Sequence, residues 1–351
     1  MKKNECSNIS IIIPVYNAEN TLDQCLQAVT LQRYDGTYEI IVIDNGSNDE
    51  SRSIISRYKA VRLLNCAVPG PAATRNVGIN ASLYDLIAFT DSDCVPDSNW
   101  LENLEKSLTP VLVGVGGPIK NISKGRISDY IATISFNQHQ HVTSALPYLA
   151  TANALFRKCV LLEVGGFDET FEIAGGEDDD LGIRLKMKGY NLGFAPEAKC
   201  AHFHANSILD FVSQRIRYGF GDAKVLSKYT RVIEVQLEFH SFLDRLMFLC
   251  NSIKQQFRYF LTTDITKGLL AIISDIAFFT GFLLFKIRRP TQLVRTHFNQ
   301  CPPAGRRKRM RKTVNVFWMI ILTPVVSLIA VAFIFVLIIT GRYSKLFRKR
   351  K

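Results

Sequence analysis

The sequence predicts an α/β protein: a mostly parallel sheet flanked by helices, followed by an apolar and basic C-terminal region. Three observations carry this. Short β-branched apolar runs alternate with helix-spaced segments over the first ninety residues. Turns rich in Asp, Asn and Gly close several of those runs. A stretch of 24 residues without a charge, 316–339, lies between basic flanks near the end of the chain.

Each element can be read in order. Residues 9–15 are almost wholly apolar, which fits a strand buried on both faces. Leu22, Cys25, Leu26 and Val29 give 20–31 a helical period. Residues 38–43 form a second buried strand, ending in the polar turn Asp44-Asn45-Gly46-Ser47. A helix over 51–58, a strand over 61–65, a Pro69-Gly70-Pro71 loop, a helix over 72–82 and a strand over 86–90 follow. In such sheets ligands bind beyond the carboxyl ends of the strands, where Asp44 and Asp91 fall. Past residue 100 the pattern is less regular. Strands are expected within 111–117 and 149–156, and helices over 177–188 and 208–229.

Length and charge bound the function. With 351 residues, 47% hydrophobic and 21% charged, the chain can bury a sizeable core and is not disordered. The net charge of +12 does not point to nucleic acid, because its distribution is uneven. Residues 286–351 hold 16 Lys/Arg and no acid, while the first 285 hold 27 basic and 31 acidic groups. An acidic front half joined to a basic, apolar tail suggests an anionic membrane surface. At about 1.5 Å per residue the 316–339 run is long enough for a hydrocarbon core of ~30 Å. A second run, 268–285, contains Asp275 and reads as an interfacial or transmembrane helix. The linker 286–312 carries ten basic residues, so a span at 268–285 as well would set that loop outward, against the positive-inside rule. One span with an interfacial helix is therefore expected, although the six basic residues of 342–351 then lie on the far side. No apolar segment followed by a small-residue cleavage site stands at the N-terminus, and none of the eight cysteines forms CxxC. A cytoplasmic catalytic half with mostly free thiols, held at the inner membrane, is expected.

Several clusters can carry chemistry. Asp91-Ser92-Asp93 sets two carboxylates two residues apart after a strand; in extended chain both would face one cation, and hard oxygens suit Mg²⁺ or Mn²⁺. Glu177-Asp178-Asp179-Asp180 follows Gly175-Gly176. Four acids at a helix start are stabilised by the helix dipole, and their repulsion would also raise a pKa toward that of a general base. His202 and His204 alternate onto one face, as metal ligands or as structural imidazoles. Gln214, Arg215, Arg217 and Tyr218 offer guanidinium for phosphate and an aromatic face for sugar or base, or simply a solvated face. Arg75-Asn76 reads as a phosphate contact or as a helix-start polar face.

As a set, in order and spacing, these motifs resemble the inverting glycosyltransferase family 2 with its GT-A fold. The matching segments are Ile11-Ile12-Ile13-Pro14-Val15-Tyr16-Asn17, Ile43-Asp44-Asn45-Gly46-Ser47, Gly70 to Arg75-Asn76, Asp91-Ser92-Asp93, Gly165-Gly166-Phe167-Asp168-Glu169 and Gly176-Glu177-Asp178-Asp179-Asp180-Leu181. The resemblance covers about residues 8–225 and implies a nucleotide-sugar donor and a divalent cation, Mg²⁺ or Mn²⁺. It implies donor contacts at Pro14, Tyr16, Asp44, Asn45, Arg75, Asp91 and Ser92. Metal ligands are implied at Asp91 and Asp93, with His202 or His204 added. Asp178 is implied as catalytic base, with Glu177 beside it. Gln214, Arg217 and Tyr218 are similar to the QxxRW element of processive sugar synthases, with Tyr in place of Trp, a departure that speaks against processive polymer export. The expected organisation is a catalytic domain at 1–225, an amphipathic connector at 226–267, the apolar helix 268–285, a basic linker at 286–315, a transmembrane helix at 316–340 and a basic tail at 341–351. The acceptor is expected to be a lipid-linked or otherwise membrane-held glycan. A polyprenyl-phosphate glycosyl synthase is the alternative within the class, and a non-catalytic sugar-nucleotide binder the alternative outside it. A dinucleotide oxidoreductase would want GxGxxG after the first strand, where this chain has Pro14-Val15-Tyr16-Asn17.

Overall fold

The computed structural model describes residues 7–134, 148–229 and 265–288, and they fall into two compact units. The first comprises the residues up to Phe211 together with Lys224–Tyr229; the second holds Val212–Ala223 and the helix at 265–288.

In the first unit the strands β1 (Ile9–Val15), β2 (Tyr38–Asp44), β3 (Val61–Asn65) and β4 (Leu86–Thr90) lie parallel, as the alternating pattern predicts. The helices α1 (Leu22–Thr30), α2 (Ser51–Ser56) and α3 (Pro71–Ala81) connect them. Alternate side chains enter two apolar layers. Ile12, Ile41, Ile43 and Phe89 face one way; Ile11, Ile13, Ile40, Val42 and Ala88 face the other. Both faces are covered, which is why these strands carry no polar alternation. Gly78 of α3 lets the helix lie against the sheet, since a Cβ there would meet the Ile12 side chain at 2.6 Å.

Beyond residue 90 the strands expected within 111–117 and 149–156 and the helices expected over 177–188 and 208–229 are present, with shorter elements between them that the sequence pattern did not resolve. In order they are β5 (Cys94–Pro96), α4 (Trp100–Ser107), β6 (Leu112–Gly116), β7 (Ile119–Asn121), α5 (Arg126–Ile134), β8 (Asn153–Arg157) and α6 (Lys158–Glu163). They continue with α7 (Glu177–Met187), β9 (Asn191–Phe194), β10 (Cys200–His202) and α8 (Ile208–Lys228). The main sheet runs β3-β2-β1-β4-β8-β6-β9, with β8 antiparallel to both neighbours, so the sheet is mixed. A small sheet, β5-β10-β7, is built just beyond the end of β4. Its three-residue strands are too short to show a period. Asn153 pins the two sheets together: its amide accepts from Trp100 Nε1 at 2.7 Å and donates to the Pro118 and Ala198 carbonyls at 3.0 and 2.7 Å.

The second unit is a helix pair, the middle of α8 with α9 (Ile265–Arg288). Two glycines let the backbones touch. A Cβ on Gly219 would stand 1.8 Å from the Phe278 carbonyl oxygen, and one on Gly281 would stand 1.9 Å from that of Ile216. The Arg215 guanidinium lies over the Phe278 ring at 5.0 Å. Among the described residues no helix is long and apolar enough to cross a membrane, so the expected membrane helix region is not seen there. For 268–285, Asp275 interrupts the apolar run. The expected span at 316–340, the linker, the tail and most of the connector lie outside the described residues.

Candidate active site

The site gathers where β1, β2 and β4 end, beside the start of α7. Asp44, at the end of β2, is 1% exposed. Its Oδ1 accepts the Ser47 N–H at 3.1 Å. Among the described residues no donor bonds its buried Oδ2, and the Arg52 Nε stands 3.6 Å away. Asn45 is committed to the loops: it donates to the Cys66 and Val68 carbonyls and accepts from the Gly70 N–H at 2.8 Å. It thereby ties the turn after β2 to the loop that starts α3. Gly70 can hold that loop because its φ of +110° suits glycine, and a Cβ would strike Glu172 backbone at 2.6 Å. At the end of β1, Tyr16 is 62% exposed, a free ring at the mouth of the site, with Pro14 part-buried just behind it.

Arg75 joins the two acidic motifs. It is buried, and its guanidinium donates to Asp91 Oδ1 at 2.9 Å and to Glu177 Oε1 at 3.0 Å. Burial works against its charge, and Asp91, Asp178 and Glu177 together hold it firmly. Arg75 is thus a cross-link between the turn after β4 and the start of α7, rather than part of a solvated polar face. Asn76 does the same for the Gly165–Glu169 loop, donating to the Phe167 carbonyl and to Glu169 Oε1 at 2.9 Å and accepting from the Phe167 N–H at 2.8 Å.

The Asp91–Asp93 segment is not extended. The Cys94 N–H bonds back to the Asp91 carbonyl at 3.0 Å and closes a turn around Ser92, so the i, i+2 argument for parallel carboxylates does not hold. Asp91 points to Arg75. Asp93 Oδ1 points to His202 Nε2 at 3.4 Å. The Cys94 thiol lies 3.8 Å from the same oxygen. Asp93, Cys94 and His202 are the group of donors that converges among the described residues, in place of the expected Asp91, Asp93, His202 and His204. The His204 ring packs on His202 with centroids 4.6 Å apart, and burial followed by His202 pushes its pKa down to about 3, so it stays neutral.

Three of the four acids at the head of α7 separate into distinct surroundings. Gly176, at φ +88°, turns the chain into the helix. Glu177 is buried and spoken for, bonded to Arg75 and, through Oε2, to the Gly175 N–H at 2.7 Å. Asp180 is fully buried and accepts from Arg184, Lys228 and Tyr229. Asp178 is half-buried and gripped by Thr151, whose N–H and hydroxyl donate at 3.1 and 3.0 Å. Burial raises its pKa to about 7, with Glu177 and Asp91 adding to the rise and Arg75 opposing it. Mutual repulsion, the cause read from sequence, is therefore secondary to desolvation. Thr151 went unread in the sequence because a lone Thr in Leu149-Ala150-Thr151-Ala152 carries no spacing signal. Cys94 could have been noticed, standing directly after the Asp pair.

Gln214, Arg217 and Tyr218 belong to the second unit. There Gln214 Nε2 lies 3.5 Å from the Tyr218 hydroxyl, and Arg217 donates to Ser213 Oγ at 3.3 Å.

A mixed sheet with acidic groups at its carboxyl edge, three metal-suited donors after β4 and a carboxylate with a raised pKa are what a metal-assisted transferase would need. Known proteins agree. The profile of glycosyl transferase family 2 matches residues 10–165, and that of glycosyl transferase family group 2 matches residues 109–343. The chain belongs to glycosyltransferase family 2 and is a nucleotide-sugar-dependent glycosyltransferase. It is similar to glycosyltransferase AglE of Haloferax volcanii, 30% identical over 226 residues, 62% of this chain and 73% of that one. It is also similar to the pre-mycofactocin glycosyltransferase of Mycobacterium tuberculosis, 31% identical over 224 residues, 60% of this chain and 46% of that one. The chain thus spans under half the length of this second relative. Among solved structures, the mannosyltransferase PcManGT from Pyrobaculum calidifontis, in complex with GDP-Man and Mn²⁺, superposes with a TM-score of 0.57 at 16% identity. That match covers 80% of this chain and 88% of the other, and it supports the GT-A-like fold.

Proposed function

We propose that the protein transfers a sugar, with inversion, from a nucleotide-diphosphate sugar to a hydroxyl of a membrane-held acceptor. The observation that carries this is Asp178: a carboxylate at the head of a helix, held by Thr151, whose pKa burial raises to about 7 although Arg75 opposes the rise. A base of that pKa suits removal of a hydroxyl proton near neutral pH. It takes that proton as the acceptor oxygen attacks the anomeric carbon from the face opposite the diphosphate. One such displacement inverts the configuration, and no covalent nucleophile is needed.

The other residues position the donor. The buried Asp44 carboxylate, with Oδ2 available, receives a donor group of the base or ribose, and Tyr16 offers its ring to the base. Carboxylate and imidazole at Asp93 and His202 fit a divalent ion such as Mn²⁺ better than Mg²⁺, which prefers oxygen alone. When bound there, with Asp91 near, a cation would supply charge neutralisation for the leaving diphosphate. Arg75 keeps the Asp91 turn and the head of α7 in fixed relation. Gln214, Arg217 and Tyr218 are kept, on their resemblance to QxxRW alone, as donor-binding residues.

The acceptor is assigned to the membrane from the 16 basic and no acidic residues of 286–351 and the uncharged run 316–339. The catalytic half then faces the cytoplasm, at the inner membrane. Release of nucleoside diphosphate from UDP-, GDP- and dTDP-sugars, by wild type and Asp93→Ala, with Mn²⁺ or chelator, tests the reading. Metal-dependent turnover of one donor, lost in the variant, supports it. Metal-independent turnover, unchanged in the variant, would exclude the proposed role of the turn. An NMR assignment of the product's anomeric configuration tests inversion.

A further inference from the structure

Cys94 gives the turn after β4 a chemistry that an activating Mn²⁺ or Mg²⁺ does not need. Its thiol is buried, yet it lies 3.8 Å from Asp93 Oδ1, and that oxygen lies 3.4 Å from His202 Nε2. Zinc bonds to sulfur, nitrogen and oxygen are about 2.3, 2.0 and 2.0 Å, so two donors on a tetrahedral zinc stand roughly 3.3–3.6 Å apart. The observed separations are already close to two edges of that tetrahedron. The three donor atoms converge within 4.8 Å of one another, and Asp93 is 40% exposed, which leaves an entry path. Asp91, turned to Arg75, is outside this group.

We propose that Asp93, Cys94 and His202 form a binding site for a thiophilic divalent cation, Zn²⁺ above all, which competes with the activating ion. The chemistry orders the ions. Thiolate and imidazole select zinc over manganese and magnesium, and zinc exceeds manganese in general affinity for nitrogen, oxygen and sulfur sites. Binding breaks the Cys94 S–H bond, forms a Zn–S bond and releases one proton to solvent; a coordinating thiol is deprotonated outright. Three protein ligands leave a fourth position for water. Two of the three ligands, Asp93 and His202, are the same side chains assigned above to the activating cation. The inhibitory consequence rests on that assignment; the binding itself rests on the three donors alone.

The test uses full-length protein in detergent, kept reduced, titrated with Co²⁺ as a spectroscopic probe and then with Zn²⁺. Expected is a thiolate-to-metal charge-transfer band with tetrahedral d–d absorption that saturates at one equivalent and is displaced by Zn²⁺ but not by excess Mg²⁺. Cys94→Ser and His202→Gln each lose it, while Cys159→Ser, at an exposed cysteine elsewhere, keeps it. Circular dichroism melts of each variant establish that it is folded. A missing band in wild type, or one of equal strength in folded Cys94→Ser, overturns the site. In a parallel assay of Mn²⁺-dependent turnover, half-inhibition by Zn²⁺ should require at least tenfold more metal in Cys94→Ser. A band with no inhibition would leave the site standing and overturn competition. The absorption arm needs no turnover, so failure of the transferase reading is seen separately.

Discussion

Asp178 is where the chemistry is most exposed to test. Only its ionised form accepts a proton, and its pKa is raised to about 7 by burial, then by Glu177 and Asp91. Turnover should therefore rise with pH through about 7 and flatten above; a profile flat across that interval would remove Asp178 as the base. Asp178→Asn should lower kcat by roughly 10²–10⁴-fold, with donor binding by calorimetry unchanged. Thr151 offers a subtler probe. Its hydroxyl donates to the carboxylate at 3.0 Å and so favours the charged form. Thr151→Val should move the acid limb of the pH profile upward by roughly one unit, the worth of one hydrogen bond to a charge. A purely structural Thr151 would lower activity without moving the limb.

At the scale of elements, α7 is held by the end of α8 as well as by the sheet. Asp180 accepts from Lys228 Nζ at 2.5 Å, the Tyr229 hydroxyl at 2.8 Å and Arg184 Nε at 2.8 Å, and Lys228 also reaches Asp168 at 2.7 Å. Asp180→Ala strands two cations beside a buried face. It should cost about 3 kcal/mol, the lower end for a broken buried pair, because Lys228 is one-third exposed. Tyr229→Phe removes one hydrogen bond and should cost about 1 kcal/mol. Urea unfolding distinguishes them; equal effects would mean that the ion pairs contribute little. In the helix pair, Gly281→Leu cannot fit beside the Ile216 carbonyl without separating the backbones. Hydrogen exchange over 265–288 should speed up markedly in that variant. Unchanged protection would show that the close approach is not what holds the pair.

The whole molecule is divided by charge: a net acidic front and a tail of 16 basic residues without an acid. Two attachments to a membrane are chemically separable. Basic residues alone give binding that salt screens, whereas a spanning helix resists both salt and alkaline carbonate. The protein should stay in the membrane pellet after both washes. Release by salt would assign the attachment to charge alone, and recovery in the soluble fraction before any wash would set aside the membrane-held acceptor.

The parallel half of the sheet was determined by the sequence itself. Buried parallel strands need near-continuous apolar runs, and 9–15, 38–43 and 86–90 announce themselves that way, while 61–65, with Arg62 and Asn65 exposed, is legible from the alternation around it. The family was equally legible, because its motifs keep order and spacing along the chain. The strand at β8 was legible but its antiparallel direction was not, nor were the three-residue strands of the small sheet, since pairing direction and short elements are specified by partners far away in sequence. The same limit applied within the site. Four consecutive acids look alike as letters. Only the folded chain decides that Glu177 pairs with Arg75, that Asp180 anchors Lys228 and Tyr229, and that Asp178 is held by Thr151. Likewise the turn that points Asp91 to Arg75 and Asp93 to His202 and Cys94 is closed by a backbone hydrogen bond. Its ligands meet because β10 pairs with β5 across more than a hundred residues of chain, a pairing fixed by packing rather than by local pattern.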